Sequence, residues 1–521
     1  MRNDFKTFFL ILLFAGLLGS GFGEVAQTKQ SPASNFQDEV RRFVREQEVP
    51  IVKDFSDLLS IPNVASDHPN IQRNADFLVK ALEQRGVSAE LLQVKGAPPA
   101  VFGELNEPGA QKTLGIYAHY DGQPVDEALW TGSPWKPVLT TKPRDAGGVE
   151  APIDSLNNNG EMRLYARSAG DDKAALIAWL SALDAIKALG RTPSVNVKFF
   201  FEGEEEAGSP HLEDIFKRYQ DKLHADLWLI CDGPVHQSRR MQIYFGARGV
   251  TEVEMTLYGP TSALHSGHYG NWAPNPIALL ANLLSRMRDD NGKILIPGFY
   301  ADVRPPSSSE MEAIHAIPDV DPELRHEFGL AWSEGDGRSL AESILLPALN
   351  LRGIQGGHVG KKTTNAIPTE ATTSIDFRLV PDQTPERVKK LVEAFIARQG
   401  FHIVHRTPTT EERLRFPKTI LLTWGPGYPS ARTSMELPGS KALIRAVDEA
   451  IESPIIKMPT LGGSVPMYLF VDLLKAPVIG VPIANHDDNQ HGPNENLRLQ
   501  NLWDGIDIFA TILIRTGELW Q

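Results

Sequence analysis

Residues 199–209 read Phe-Phe-Phe-Glu-Gly-Glu-Glu-Glu-Ala-Gly-Ser, so an apolar strand runs straight into four glutamates within five residues. Carboxylates this close raise each other's pKa values unless a cation neutralises them. A divalent metal ion does so well, because hard carboxylate oxygens suit it. A solvated acidic loop is the competing reading, but Gly203, Gly208 and the preceding strand favour a tight turn at a sheet end. Four other signals share that placement. His119 follows the apolar run Thr113–Ala118, with Asp121 two residues on and on the same side. Asp171 and Asp172 open a helical stretch, where capping competes with metal binding. Asp232 ends an apolar run before Gly233-Pro234, where a turn role competes. His491 lies with His486 and several acids beyond a further strand. Each signal is weak singly. Jointly they sit at the ends of strands or at the starts of the helices that follow, and in one parallel sheet such ends converge on the ligand-binding edge.

Whole-chain composition narrows the chemistry. At 521 residues the chain is long enough for at least two domains. Its single cysteine, Cys231, excludes an intramolecular disulfide and a cysteine-rich zinc finger, so His, Asp and Glu must hold any metal. A net charge of −13 with no basic stripe argues against nucleic acid as a partner. Arg2 and Lys6 precede an apolar run from Phe8 to about Leu18, followed by small residues to Gly23. That pattern predicts a signal peptide over 1–23, cleaved near Gly23, and a secreted, periplasmic protein. The run is shorter than the roughly 20 residues of a spanning helix, so no stable membrane anchor is expected.

The elements that must position these residues follow from periodicity. Residues 24–36 read as a loose lead-in. Helices are expected over Phe77–Arg85 and Asp172–Leu189, and strands over Thr113–Ala118, Ser194–Phe201 and Ala225–Cys231. This rhythm implies βαβ units and a mostly parallel sheet. Character changes near Ala247. Strands over Thr251–Leu257, Thr372–Leu379 and Phe401–His405, with helices over Pro276–Arg288 and Pro385–Arg398, suggest a separate α+β layer. The first pattern resumes with a helix over Ser440–Ile451 and a strand over Pro477–Val481. The expected organisation is an α/β catalytic domain (24–246 and 431–521) interrupted by an inserted domain (247–430), with 289–350 an insertion of weak periodicity.

At this point the motifs resemble those of the M20 family of metallopeptidases, most nearly its carnosine-type dipeptidase branch. The matching pieces are AHYDGQP at 118–124, LYARSAGDDKA at 164–174, EGEEEAGS at 202–209, ICDGP at 230–234, LHSGHYG at 264–270, FRLVP at 377–381, GGSVP at 462–466 and HGPNE at 491–495. The resemblance implies a zinc-peptidase-like catalytic domain and a ferredoxin-like inserted domain that serves as lid and dimerisation surface. It implies two divalent metal ions per subunit, usually zinc, with manganese the alternative. Asp171 would bridge them, His119 and Asp232 completing one site and Glu206 and His491 the other. Glu205 would be the general base toward a metal-bridging water, Asp121 would orient His119, and a cis peptide would follow Asp171. His265 of a second subunit would stabilise the oxyanion. Arg378 and Asn365 would bind the substrate carboxylate and nearby groups, and Ser464 another part of the substrate. The implied activity is hydrolysis of dipeptides or short peptides by a homodimer. An N-acyl-amino-acid amidohydrolase of the same fold is the alternative, and an inactive peptide binder a third reading. The chain departs from the family pattern at Ala166, Ser168 and Ala174, where glycines are usual, in the longer segment Pro143–Gly160 expected to overhang the cleft, and in the extra His268. Glu202 and Glu204 receive no role.

Overall fold

A computed structural model describes residues 32–520, with side chains from Phe36 onward; the expected signal peptide lies outside them. The lead-in is shorter than expected. A helix, Pro32–Leu59, begins inside it, because Phe36, Val40, Val44, Val52, Phe55 and Leu59 recur at helical spacing and are buried.

The larger sheet has eight strands. Their spatial order is Ser88–Leu92, Ala100–Leu105, Asn196–Glu202, Thr113–His119, Leu227–Ile230, Val478–Gly480, Gln242–Tyr244, Ile456–Met458. Four of its seven neighbour pairs are parallel, including all three around the His119 strand and its neighbour Leu227–Ile230. Antiparallel pairs occupy one margin and the junction of Val478–Gly480 with Gln242–Tyr244, so the sheet is mixed. The helix Lys173–Ala188 links the His119 strand to the Glu202 strand and is enclosed almost all round. Its Trp179 stacks on Phe509 of the C-terminal helix Leu499–Leu519, ring centroids 4.0 Å apart. Periodicity did not mark the two marginal strands before Thr113 or this last helix.

A second sheet of five strands runs Ala348–Gln355, Glu370–Leu379, Gly249–Tyr258, Thr419–Tyr428, His402–Val404. Along Gly249–Tyr258 burial alternates, as the apolar–polar pattern predicts. Helices Pro276–Leu284 and Pro385–Arg398 contribute Leu280, Leu283, Val388, Val392 and Ile396 to its core. Short helices Ser308–His315, Asp321–Glu327 and Leu340–Ser343 fill the weakly periodic insertion. The chain passes between the sheets at Gly246–Ala247 and Ala431–Arg432, which pair with each other.

Candidate metal centre

His119 is the last residue of its strand, and its ring is fully buried. Nδ1 lies 3.3 Å from Asp121 Oδ1, and Nε2 lies 2.8 Å from Asp171 Oδ1. Asp171 precedes the Lys173 helix, across a cis peptide to Asp172. Its other oxygen, Oδ2, faces His491 Nε2 at 3.0 Å, and His491 Nε2 also meets Glu206 Oε2 at 3.1 Å. Asp232 follows the strand Leu227–Ile230 and is buried. Among the described residues, two groups therefore form: His119, Asp171 and Asp232, and Asp171, Glu206 and His491, with the ligand atoms of each within 4.8 Å of one another. Asp171 belongs to both.

The electrostatics follow from enclosure. Burial alone would lower the His119 pKa, but its bonds to Asp121 and Asp171 outweigh that and hold it well above the ordinary imidazole value. Burial opposes ionisation of Asp171 too, yet the bonds from His119 and His491 keep its carboxyl below the usual range. Asp232 has no such partner, and burial with the charge of Asp171 pushes it up to about 7. Bonds to Asp171 and Glu206 push His491 up to about 10. Two imidazole nitrogens pressed against one carboxylate must share protons or a cation with it. Three carboxylates and two imidazoles form a donor set suited to divalent zinc or manganese. Asp121 on Nδ1 fixes the His119 tautomer that leaves Nε2 free to ligate. The residues thus fit a dinuclear centre.

The four glutamates separate by partner. Glu202 accepts a 2.6 Å bond from the Tyr117 hydroxyl, and burial pushes it up to about 8. Glu204 meets the His211 ring and the His211 N–H, both at 3.0 Å. Both are buried, and neither belongs to a ligand group. Gly203 between them is obligatory, since a Cβ there would stand 2.6 Å from the Tyr120 ring. Glu205 and Glu206 open a single 3-10 turn whose two N–H groups donate to the two Asp121 oxygens, each at 3.0 Å. Asp121 thus orients both His119 and the glutamate turn. Glu206 also accepts from Gln123 Nε2 at 2.8 Å. Glu205 stands outside both ligand groups, and burial with the charges of Asp232, Asp171 and Glu206 raises its pKa well above normal against the opposing effect of His119.

On the second sheet, Arg378 Nη1 donates to Ser464 Oγ at 2.9 Å, and its Nε donates to Asp376 at 2.9 Å. Arg248, to which the sequence reading assigned no role, donates from Nε to Gly462 O at 2.9 Å on the same glycine turn. Burial and the charge of Arg378 lower it to about 10. His265 and Asn365 are neighbours on the two-stranded pairing of Leu264–His265 with Ala366–Ile367, where Ser266 N–H donates to Asn365 O. Both are exposed, and among the described residues no hydrogen bond or ion pair links either to the ligand groups. The His268 ring lies against that of His265, centroids 4.6 Å apart and tilted by 39°. In the segment Pro143–Gly160, Arg144 holds Asn494 Oδ1 at 3.1 Å, so it is anchored to the His491 loop. Gln490, which donates to Asp171 Oδ2 at 2.8 Å, and the buried Glu495 also received no role from the sequence; the acid that closes HGPNE, four residues beyond His491, is the one signal that could have found Glu495.

An edge of this kind belongs to the metal-dependent hydrolases. Within that class the chain belongs to peptidase family M20/M25/M40, whose profile matches residues 115–515. It is 29% identical over 492 residues to the Cys-Gly metallodipeptidase dug1 of Schizosaccharomyces pombe, covering 91% of this chain and 97% of that protein. It is 26% identical over 485 residues to the Beta-Ala-His dipeptidase of Homo sapiens, covering 88% and 89%. The solved structure of an M20 family metallo-carboxypeptidase from Sulfolobus solfataricus matches with a TM-score of 0.71 and 30% identity, covering 90% of this chain and 99% of that one. The chain is accordingly an enzyme, an M20-type metal-dependent peptidase of the carnosine-type branch.

Proposed function

We propose that this enzyme hydrolyses the amide bond of dipeptides or short peptides at a dinuclear centre, zinc or manganese being the metal, with Glu205 as general base. The observation that carries this reading is the pair of ligand groups sharing Asp171, with Glu205 beside both and part of neither. The substrate class is supported by relatives named for Cys-Gly and Beta-Ala-His dipeptides. His119 and Asp232 would hold one ion and Glu206 and His491 the other. A divalent pair supplies Lewis acidity, acidifying water and polarising a carbonyl. Glu205 takes the proton of the attacking water and returns it to the leaving amine. The Arg378 fork, steadied by Ser464 and Asp376, binds the substrate carboxylate bidentately, with Asn365 beside the substrate.

The oxyanion requires a donor, and His265 supplies it from a second copy of the chain. This is consistent with its exposure and with exposed apolar residues elsewhere on the inserted layer: Trp272 is 78% exposed, Val359 88% and Ile354 59%. The domain division near 247 and 430 belongs to the same reading, supported by the two separate sheets and the paired crossover between them. Secretion with cleavage near Gly23 rests on residues 1–23; amino-terminal sequencing of protein recovered from the periplasm tests it, and recovery of uncleaved chain from the cytoplasm would refute it. The activity is tested with a panel of free dipeptides, longer peptides and N-acetyl amino acids, with and without metal. Cleavage of free dipeptides that a chelator abolishes is expected. Cleavage of the N-acetyl amino acids alone would make the enzyme an amidohydrolase.

A further inference from the structure

Glu495 is completely buried behind Asp171. Its Oε1 accepts the backbone N–H groups of Gly170 and Asp171, each at 3.0 Å. Its Oε2 accepts the Ser168 N–H at 3.0 Å and Arg167 Nη1 at 2.7 Å. The turn 168–171 therefore closes around one carboxylate, as backbone nests close around anions. Ser168 stands at φ 63°, in the left-handed region, where the turn directs its N–H inward. Arg167 Nη2 reaches on to the His491 carbonyl at 3.4 Å. One buried ion pair thus ties the loop carrying Asp171 to the loop carrying His491.

An Asp side chain in a turn competes for nearby backbone N–H groups. Here Glu495 has taken them, so the Asp171 oxygens are left to face outward, one toward His119 and one toward His491. We infer that Glu495, with Arg167 as its counter-ion, is a positioning residue that holds Asp171 in its bridging orientation and sets the spacing of the two ligand groups. The inference rests on the dinuclear reading. Because Asp171 is common to both groups, disturbing Glu495 weakens both metals rather than one. His119, held separately through Asp121, keeps its orientation.

The test uses the chelator-stripped full chain titrated with cobalt(II), followed by calorimetry and visible absorption. The wild type is expected to take two equivalents. Glu495→Gln places an amide against the inward N–H groups; both affinities are expected to fall about 10- to 100-fold, the size typical of lost outer-shell partners, with a changed cobalt spectrum. Arg167→Lys should shift both in the same direction by less. Asp507→Asn, which removes a buried carboxylate paired with Arg41 away from the site, serves as the stability control and should change neither. Wild-type affinities and spectrum in Glu495→Gln, or equal weakening by Asp507→Asn, would overturn the inference. If Glu495→Gln does not fold, Arg167→Lys decides by the same criteria. Fewer than two equivalents in the wild type would overturn the dinuclear reading and this inference with it.

Discussion

His119, Asp121, Asp171 and Asp232 sit enclosed at the edge of the eight-stranded sheet, and the first three are held by side-chain or backbone partners there. His265 and Asn365, on the inserted layer, stand exposed and touch none of them. The contrast is one of completeness. Ligand geometry must be exact to fractions of an ångström and is built from rigid strand ends within one chain. The two residues proposed to act on the substrate are left open on a surface, where a group that must admit substrate has room to move.

The largest test of the enclosed side is Glu205→Gln. If Glu205 is the base, kcat should fall on the order of 10²- to 10⁴-fold with both metals retained; loss of one metal would instead make Glu205 the ligand and Glu206 the base. The exposed side is tested by His265→Ala, for which a fall of about 10²- to 10³-fold in kcat is expected. Circular dichroism should not change, since the residue is exposed. If two copies pair through the inserted layer as proposed, Ile354→Glu on its exposed edge strand should give a monomer with activity reduced to the same level; full activity in a monomer seen by ultracentrifugation would show that one chain suffices. Arg378→Met, at the junction of the two sides, should lower kcat/KM for free dipeptides by roughly 10- to 100-fold through loss of charged hydrogen bonds, acting mainly on KM.

The smallest effect concerns pH. Burial raises Asp232 and Glu495 to about 7 and Glu202 to about 8, and bonds to Asp171 and Glu206 raise His491 to about 10. A raised folded pKa contributes stability that is present below the unfolded value and lost as pH rises through the folded one. The chelator-stripped chain should therefore melt at falling temperature from about pH 5 to about pH 8, and continue downward toward pH 10 as His491 loses its proton. A melting temperature that climbs over pH 5–8 would contradict the burial of these groups. Adding zinc should weaken the trend, because metal binding displaces the Asp232 and His491 protons.

Much of the ligand side was readable because each strand end writes its chemistry locally. The residues His119, Asp171, Glu206, Asp232 and His491 lie in short motifs beside apolar runs that announce their strands. Glu202 and Glu204 received no role in this way. Their partners, Tyr117 and His211, come from a neighbouring strand and a following loop, and only packing against those groups decides which carboxylates turn inward. Arg248, Gln490 and Glu495 were missed for the same reason: each acts through a contact more than 200 residues away in the chain.

Residue type and spacing were enough to suggest a metal at the strand ends and the α/β rhythm, and the order of the motifs gave the family, whose resemblance implied the donor set, because those depend on local pattern and on motif order. The partners that Tyr117 and His211 give to Glu202 and Glu204, and the closing of the 168–171 turn around Glu495, came only with the tertiary structure. They arise from desolvation and from distances between strand ends, which no linear pattern contains.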